Sequence, residues 1–136
     1  MEQIGFWDVL ENRRSVRRFK PRPVEREVVE TLLEAAVRAP NAHNNQSWRF
    51  AVLTEKTDML RLVDAMRPDY EQALLESGMA AETAAEFADR RGARLTGAPL
   101  AVIICVACND LKTYDDQVRS RGEELMAVQS AALAGG

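Results

Sequence analysis

The segment from Glu123 to Ala134 limits the fold more than any other part of the chain, because small and apolar residues dominate the helix that it predicts. A helix that is apolar all round belongs in the interior of a protein, where other elements cover it. In a complete protein we therefore expect this helix to be covered, whereas this sequence supplies nothing to pack it from outside. Gln129 and Ser130, polar residues within its apolar part, would then need hydrogen bonds to backbone, which we favour, or to a ligand.

Two strands can be recognised before this helix. Residues 48–53 alternate as a strand does, and residues 100–107 form a run rich in Val and Ile, which predicts a strand covered on both faces. Two strands alone do not make a stable sheet. The chain of 136 residues is therefore either a fragment or dependent on a partner chain for further strands. We favour the fragment, and we expect residues 1–136 to form a single, partial domain.

Four other segments have helical spacing of apolar residues or an alanine-rich composition. They are residues 5–12, 25–39, 57–66 and 69–95. We expect Pro40 to end the second helix and Pro68 to end the third. Gly78 should divide the fourth segment into two helices.

Charge and hydropathy exclude two classes of function. A net charge of −3 provides no basic field, which general binding to nucleic acid requires. No apolar run approaches the ~20 residues that span a bilayer, and residues 1–5 lack the basic and apolar regions of a secretory signal. We therefore expect a soluble cytoplasmic protein that binds neither nucleic acid nor membrane.

Cys105 and Cys108 form a lone C-x-x-C pair, a spacing typical of redox and metal sites. Both lie in the apolar strand, where residues three apart point to opposite faces. A zinc site would need more ligands, and the only histidine, His43, is distant in sequence. We therefore expect both cysteines to be packed as small hydrophobic residues, and we predict no metal site.

A basic cluster is the first candidate binding site. It consists of Arg13, Arg14, Ser15 and Arg17. Guanidinium groups donate forked, charge-assisted hydrogen bonds that fit a phosphate, and a serine hydroxyl adds a donor. A solvated basic turn at a helix end has the same composition. Because no glycine-rich phosphate loop is present, composition alone favours the basic turn.

The loop of residues 40–47 is the second candidate. Four of its side chains are carboxamides, which donate and accept hydrogen bonds and so suit the mixed polar edge of a heterocycle such as a flavin. Asparagine is also common in loops that join a helix to a strand. His43 has no recognisable catalytic partner in the sequence. The residues alone therefore indicate a soluble α/β domain with one candidate anion site.

Five segments, in order along the chain, resemble motifs of the FMN-dependent nitroreductase family. They are Asn-Arg-Arg-Ser-Val-Arg-Arg-Phe at 12–19, Leu-Leu-Glu-Ala-Ala-x-x-Ala-Pro at 32–40, Asn-x-Gln-x-Trp-Arg-Phe at 44–50, Gly-Ala-Pro at 97–99 and Ala-Val-Gln-Ser-Ala-Ala-Leu-Ala-Gly at 127–135. Each motif is weak alone, and their shared order and spacing make the match specific. Within the family, the loop looks most like the nitroreductase-like domain associated with deazaflavin-coenzyme γ-glutamyl ligases.

The resemblance implies an α+β fold, a nitroreductase-like three-layer α/β/α sandwich with a central mixed sheet, here incomplete at the C-terminus. It also implies a homodimer with FMN at the subunit interface. The family positions that hold the FMN phosphate and ribityl chain correspond to Arg13, Arg14, Ser15 and Arg17. The loop that reaches the flavin from the other subunit corresponds to Pro40, Asn41, Ala42 and Asn44.

The implied activity is transfer of a hydride from NAD(P)H through FMN to a small aromatic, nitro or quinone-like acceptor. Two alternatives stay open: a reductase or binding domain related to the deazaflavin coenzyme, and a non-catalytic truncated remnant. The sequence departs from the family pattern at Ser47, where proline is usual, and at Asn41, where a small hydroxyl residue is usual. The family's later strands, flavin-covering loop and basic C-terminal contact would follow the last helix, so we expect an incomplete flavin site.

Overall fold

The computed structural model describes residues 5–136 of the chain. Residues 1–4, on which the prediction about a secretory signal depends, lie outside the described residues. The main elements are α1 (Phe6–Asn12), α2 (Arg26–Ala36), β1 (Trp48–Leu53), α3 (Lys56–Glu76), α4 (Ala81–Thr96), β2 (Ala101–Val106) and α5 (Gln117–Ala134), with short 3₁₀ turns at Ala42–Asn44 and Cys108–Asp110. Helices packed with an antiparallel sheet confirm the α+β class. Within the described part, each helix is too short or too polar to cross a bilayer.

β1 and β2 are the two strands that the sequence predicts, and they pair antiparallel along their whole length. The register places Phe50 opposite Ile104, so the two side chains lie on the same face of the sheet. The C-terminal end of α5 approaches this face closely, since a Cβ atom on Gly135 would lie 2.6 Å from Ile104 Cδ1. The described residues thus supply one antiparallel pair to the mixed sheet that the resemblance implies.

α3 and α4 form a helical hairpin. The sequence predicts a helix end near Pro68, and this prediction is wrong, because α3 continues through Pro68. Pro68 is exposed, so the carbonyl that loses its helical donor there can bond to water. Arg67 of α3 forms an ion pair with Glu71 on the same helix and another with Asp89 in α4. The second ion pair joins the two helices. The predicted break at Gly78 is confirmed, with a φ of 88° that glycine adopts without strain.

Within the described residues, α5 buries one face and exposes the other, in line with the expectation that this sequence supplies nothing to pack the outer side of the helix. The buried face consists of Glu123, Ala127, Ser130, Ala131 and Ala134. Leu125 and Val128 are each 58% exposed, Leu133 is 56% exposed, and Gln129 is exposed as well. Ser130 donates to the backbone of its own helix, as predicted. The small buried residues allow a close approach to the sheet and leave the larger ones uncovered.

β2 is less covered than its composition predicts. Val102 is 41% exposed, and the described chain therefore does not cover both faces of the strand. Cys105 is exposed on the strand, and Cys108 is exposed in the turn that follows it. The prediction that both cysteines are packed as small hydrophobic residues is wrong, because the described residues leave Cys105 exposed on the strand and Cys108 lies beyond the end of the strand.

Candidate functional site

The loop between α2 and β1 has a strained backbone. His43, Asn44 and Gln46 have positive φ angles of 54°, 55° and 47°, in the left-handed region that residues other than glycine seldom occupy. Asparagine and histidine occur there more often than most residues, but each such residue still costs about 1 kcal/mol. Other contacts must therefore hold the loop in this conformation.

Hydrogen bonds within the loop and to α5 supply part of this support. Asn41 Oδ1 accepts from the backbone N–H of Gln46 at 3.0 Å, which closes the loop. The N–H of Ala42 donates to Ser130 Oγ in α5 at 3.3 Å. The Asn41 carboxamide is thereby used inside the chain. Asn44, in contrast, is exposed and makes no side-chain hydrogen bond within residues 5–136, so its carboxamide can meet a ligand.

A second connection between this loop and α5 involves a buried carboxylate. His43 Nε2 lies 3.3 Å from Oε1 of Glu123, whose side chain is 4% exposed. The hydroxyl of Tyr114 donates to the same carboxylate oxygen at 3.2 Å. Partial burial, followed by this hydrogen bond and the negative charge of Glu123, raises the pKa of Tyr114 above its ordinary value.

Sequence reasoning misses Glu123 and Tyr114 and leaves His43 without a partner. The two partners of this carboxylate come from distant parts of the chain, and no short motif links them. One signal is present in the sequence: Glu123 is a carboxylate on the same helical face as Ala127 and Ser130. An acidic residue on a small-residue face is expected to be paired when that face is buried.

The basic cluster lies in the extended segment between α1 and α2, where all of its residues are exposed. Arg14 donates to the carbonyls of Glu11 at 2.6 Å and of Arg13 at 2.8 Å, so its guanidinium is engaged locally. Arg17 reaches only the carbonyl of Ser15, at 3.5 Å. Within residues 5–136 the side chains of Arg13 and Ser15 make no hydrogen bond. Arg13, Ser15 and Arg17 therefore have donors available for an anion.

The two predicted clusters lie in different segments of the chain, one between α1 and α2 and the other between α2 and β1. In the part that the structure describes, no hydrogen bond or ion pair joins residues 13–17 to residues 40–47. Pro40 is exposed and borders an open apolar cleft of about 590 Å³ between α2, the sheet and the end of α5, with Phe50 and Leu133 in its lining.

These features define an α+β domain that carries an exposed basic segment and a polar loop held by α5. A family model described as Nitroreductase family matches residues 10–136. The chain belongs to the nitroreductase family.

Solved structures share this fold. The BluB-like flavoprotein of Clostridium difficile 630 superimposes with a TM-score of 0.66 and 22% identity, over 97% of this chain and 66% of that one. A nitroreductase with bound FMN from Desulfitobacterium hafniense DCB-2 gives a TM-score of 0.56 and 25% identity, over 95% of this chain and 63% of that one.

Curated relatives agree with the family. A Bacillus subtilis (strain 168) protein, provisionally named NAD(P)H nitroreductase YfhC, is 37% identical over 57 residues, which make up 42% of this chain and 29% of that protein. The chain spans less than half the length of the curated relatives it matches.

Proposed function

We propose that this protein is an FMN-dependent NAD(P)H oxidoreductase that reduces a small aromatic, nitro or quinone-like acceptor. The observation that carries the proposal is that one chain exposes two sets of polar side chains, a basic cluster and a carboxamide loop, whose chemistry suits the two ends of FMN. Arg13 and Arg17 have uncommitted guanidinium donors, and a loop anchored to α5 exposes Asn44. The FMN bound to the Desulfitobacterium hafniense nitroreductase supports the cofactor. The names of two curated relatives support NAD(P)H as the electron donor.

The chemistry of the donor set fits FMN. The cofactor ends in a phosphate dianion, which suits the forked donors of Arg13 and Arg17 and the hydroxyl of Ser15. The flavin ring presents both acceptors and a donor at its edge, and the carboxamide of Asn44 can match either type. All four side chains are exposed, so a ligand can reach them without rearrangement of a core.

The other predicted site residues take part by holding the basic segment and the loop in place. Arg14 is engaged by carbonyls at the end of α1 and orients the segment that carries the other two arginines. Asn41 closes the loop, and Ala42 anchors it to α5. Pro40 lies at the boundary between the polar loop and the apolar cleft.

When bound, FMN supplies hydride transfer between the nicotinamide and the acceptor. In this proposal, Arg13, Ser15 and Arg17 bind the phosphate, and Asn44 orients the ring edge. The contacts with α5 hold the loop in place. No nucleophilic side chain is required for these tasks, which agrees with the absence of a nucleophile–base pair from the predicted site residues.

The same proposal includes a homodimer with FMN at the subunit interface. Leu125 and Val128 expose more than half of their surface on α5, and Phe6 and Trp7 expose 69% and 70% of theirs on α1. Leu125 and Val128 are three residues apart and so lie on one face of α5, and exposed apolar surface of this kind fits an interaction site. In the proposed dimer, the basic cluster of one copy and the loop of the other meet at one ligand.

Native mass spectrometry of the purified chain with added FMN tests this proposal. We expect a dimer that carries two FMN molecules, followed by oxidation of NADH or NADPH when an acceptor is supplied. A flavin-free monomer would overturn the proposal. The narrower resemblance to domains associated with deazaflavin-coenzyme ligases stays a prediction, and adding a deazaflavin coenzyme as a competitor of FMN in the same experiment tests it.

A further inference from the structure

Glu123 is a buried carboxylate that the proposed oxidoreductase chemistry does not use. Its side chain is 4% exposed and faces the loop from α5. Burial of a carboxylate is costly unless hydrogen bonds or charges compensate. Its contacts are therefore informative, and the structure gives two: the Tyr114 hydroxyl at 3.2 Å and His43 Nε2 at 3.3 Å.

The contact with His43 joins α5 to the strained part of the loop. His43 and Asn44 are consecutive residues with φ angles of 54° and 55°. Two helical turns further along the same face of α5, Ser130 accepts from the N–H of Ala42. α5 thus holds two adjacent loop residues with two buried polar side chains, just before the exposed Asn44.

We propose that Glu123 is a positioning residue for the loop of residues 40–47, which carries the proposed flavin contact Asn44. Its contact with His43 fixes the left-handed backbone at residues 43 and 44. This contact therefore sets the direction in which the Asn44 side chain points. Ser130 fixes the preceding residue through the N–H of Ala42. The effect on flavin affinity rests on the proposed FMN function, whereas the fixing of the loop does not.

Tyr114 provides a matched control for this role. Its hydroxyl donates to the same oxygen of Glu123, but no hydrogen bond within the described residues joins Tyr114 to residues 40–47. If Glu123 served only to satisfy buried polar groups around α5, loss of either contact would have similar effects. If it positions the loop, only loss of the His43 contact should loosen residues 42–46.

Hydrogen exchange of the backbone amides of residues 42–46, measured on the flavin-free full chain, tests the proposal. His43→Leu and Glu123→Leu should each speed exchange in the loop by roughly fivefold or more, and the double variant should add little to either, because both remove one contact. His43→Gln places an amide nitrogen near the position of Nε2 and should restore most of the protection. Tyr114→Phe should leave exchange in the loop within about twofold of the original.

Flavin affinity and thermal melting of the same variants complete the test. We expect His43→Leu to weaken FMN binding while the melting temperature changes little, and His43→Gln to recover the affinity. If Glu123→Leu does not fold, His43→Leu decides, since the His43 side chain is 46% exposed. Unchanged loop exchange in His43→Leu overturns the positioning role. A parent chain that fails to bind FMN, with loop exchange as expected, overturns the proposed function and leaves the positioning role standing.

Discussion

Gly92 in α4 lies so close to Val63 in α3 that a Cβ atom at position 92 would come within 2.8 Å of Val63 Cγ1. The missing side chain therefore allows the two helices of the hairpin to approach. Valine is branched at Cβ and has little rotamer freedom in a helix, so it cannot move aside at low cost. At Gly122 in α5, in contrast, no heavy atom of the described residues, apart from its chain neighbours and the adjacent backbone of its own helix, lies within 4 Å of the position that a Cβ would take.

Alanine at these two glycines should have opposite effects on stability. Gly122→Ala should raise the free energy of unfolding by about 0.5–1 kcal/mol, because alanine favours helix. Gly92→Ala has the same gain in helix propensity, but it overpacks the hairpin at a cost of roughly 1–3 kcal/mol. We therefore expect Gly92→Ala to lower the free energy of unfolding. Urea denaturation measures both. When Val63→Ala is added to Gly92→Ala, the destabilisation caused by alanine at position 92 should become smaller. Equal gains in stability at both glycines would contradict the close packing of Gly92 against Val63.

Arg17→Ala should weaken FMN binding by about 1.5–3 kcal/mol if its guanidinium makes a charged hydrogen bond to the phosphate. Quenching of FMN fluorescence on titration with the protein measures the affinity. Arg22→Ala is a suitable control, since Arg22 is exposed and lies outside the cluster. Equal affinity in Arg17→Ala and the parent chain would remove Arg17 from the site.

Leu125→Glu should disrupt the proposed dimer. It places a charge in the exposed apolar face of α5, and covering that charge in an interface costs several kcal/mol, so the dissociation constant should rise by roughly 100-fold or more. Sedimentation velocity over a range of concentrations measures it. Leu60→Glu on α3 is the matched control, because Leu60 is also partly exposed, at 44%. A Leu125→Glu protein that sediments like the parent would place the interface elsewhere.

Tyr114 should ionise at higher pH than a tyrosine in water. Partial burial and the hydrogen bond to Glu123 raise its pKa in the folded state. The stability linked to Tyr114 is therefore fully present below about pH 10, the ordinary tyrosine value, and is lost as the pH rises through the higher folded-state pKa. The absorbance of tyrosinate, with Tyr114→Phe subtracted, follows this titration. Glu123→Gln should lower the pKa, and an unchanged titration would mean that the two groups do not interact in solution.

The sequence predicts the strands well because their signal is local. Residues 48–53 alternate, and residues 100–107 are a continuous run of β-branched and other apolar residues, so each strand is found within one residue at each end. Helix α3 shows the limit of local rules. An exposed proline is tolerated within a helix when the carbonyl four residues earlier, which loses its helical donor, can bond to water. Hydropathy likewise does not show which side of α5 packs, since alanine and leucine both count as apolar although only the smaller residues are buried.

The candidate site is predictable only in part. Side-chain chemistry picks out the basic cluster and the carboxamide loop as candidates, and their role in binding stays a prediction. The structure adds that Arg13, Ser15, Arg17 and Asn44 are exposed. The partners of the loop could not be predicted, because the pairs His43–Glu123 and Ala42–Ser130 form only when the chain has folded. No sequence rule relates residues at such separations.

The hydrogen bond from Ala42 to Ser130 joins residues 88 positions apart, and β1 pairs with a strand that begins at Ala101. On the ribosome, about 5–20 residues are added each second, so β1 emerges several seconds before its partner. The α3–α4 hairpin between the strands depends on local contacts and can form during that interval. The loop of residues 40–47, in contrast, cannot reach its strained conformation until α5 has been synthesised, so it becomes ordered later than the hairpin.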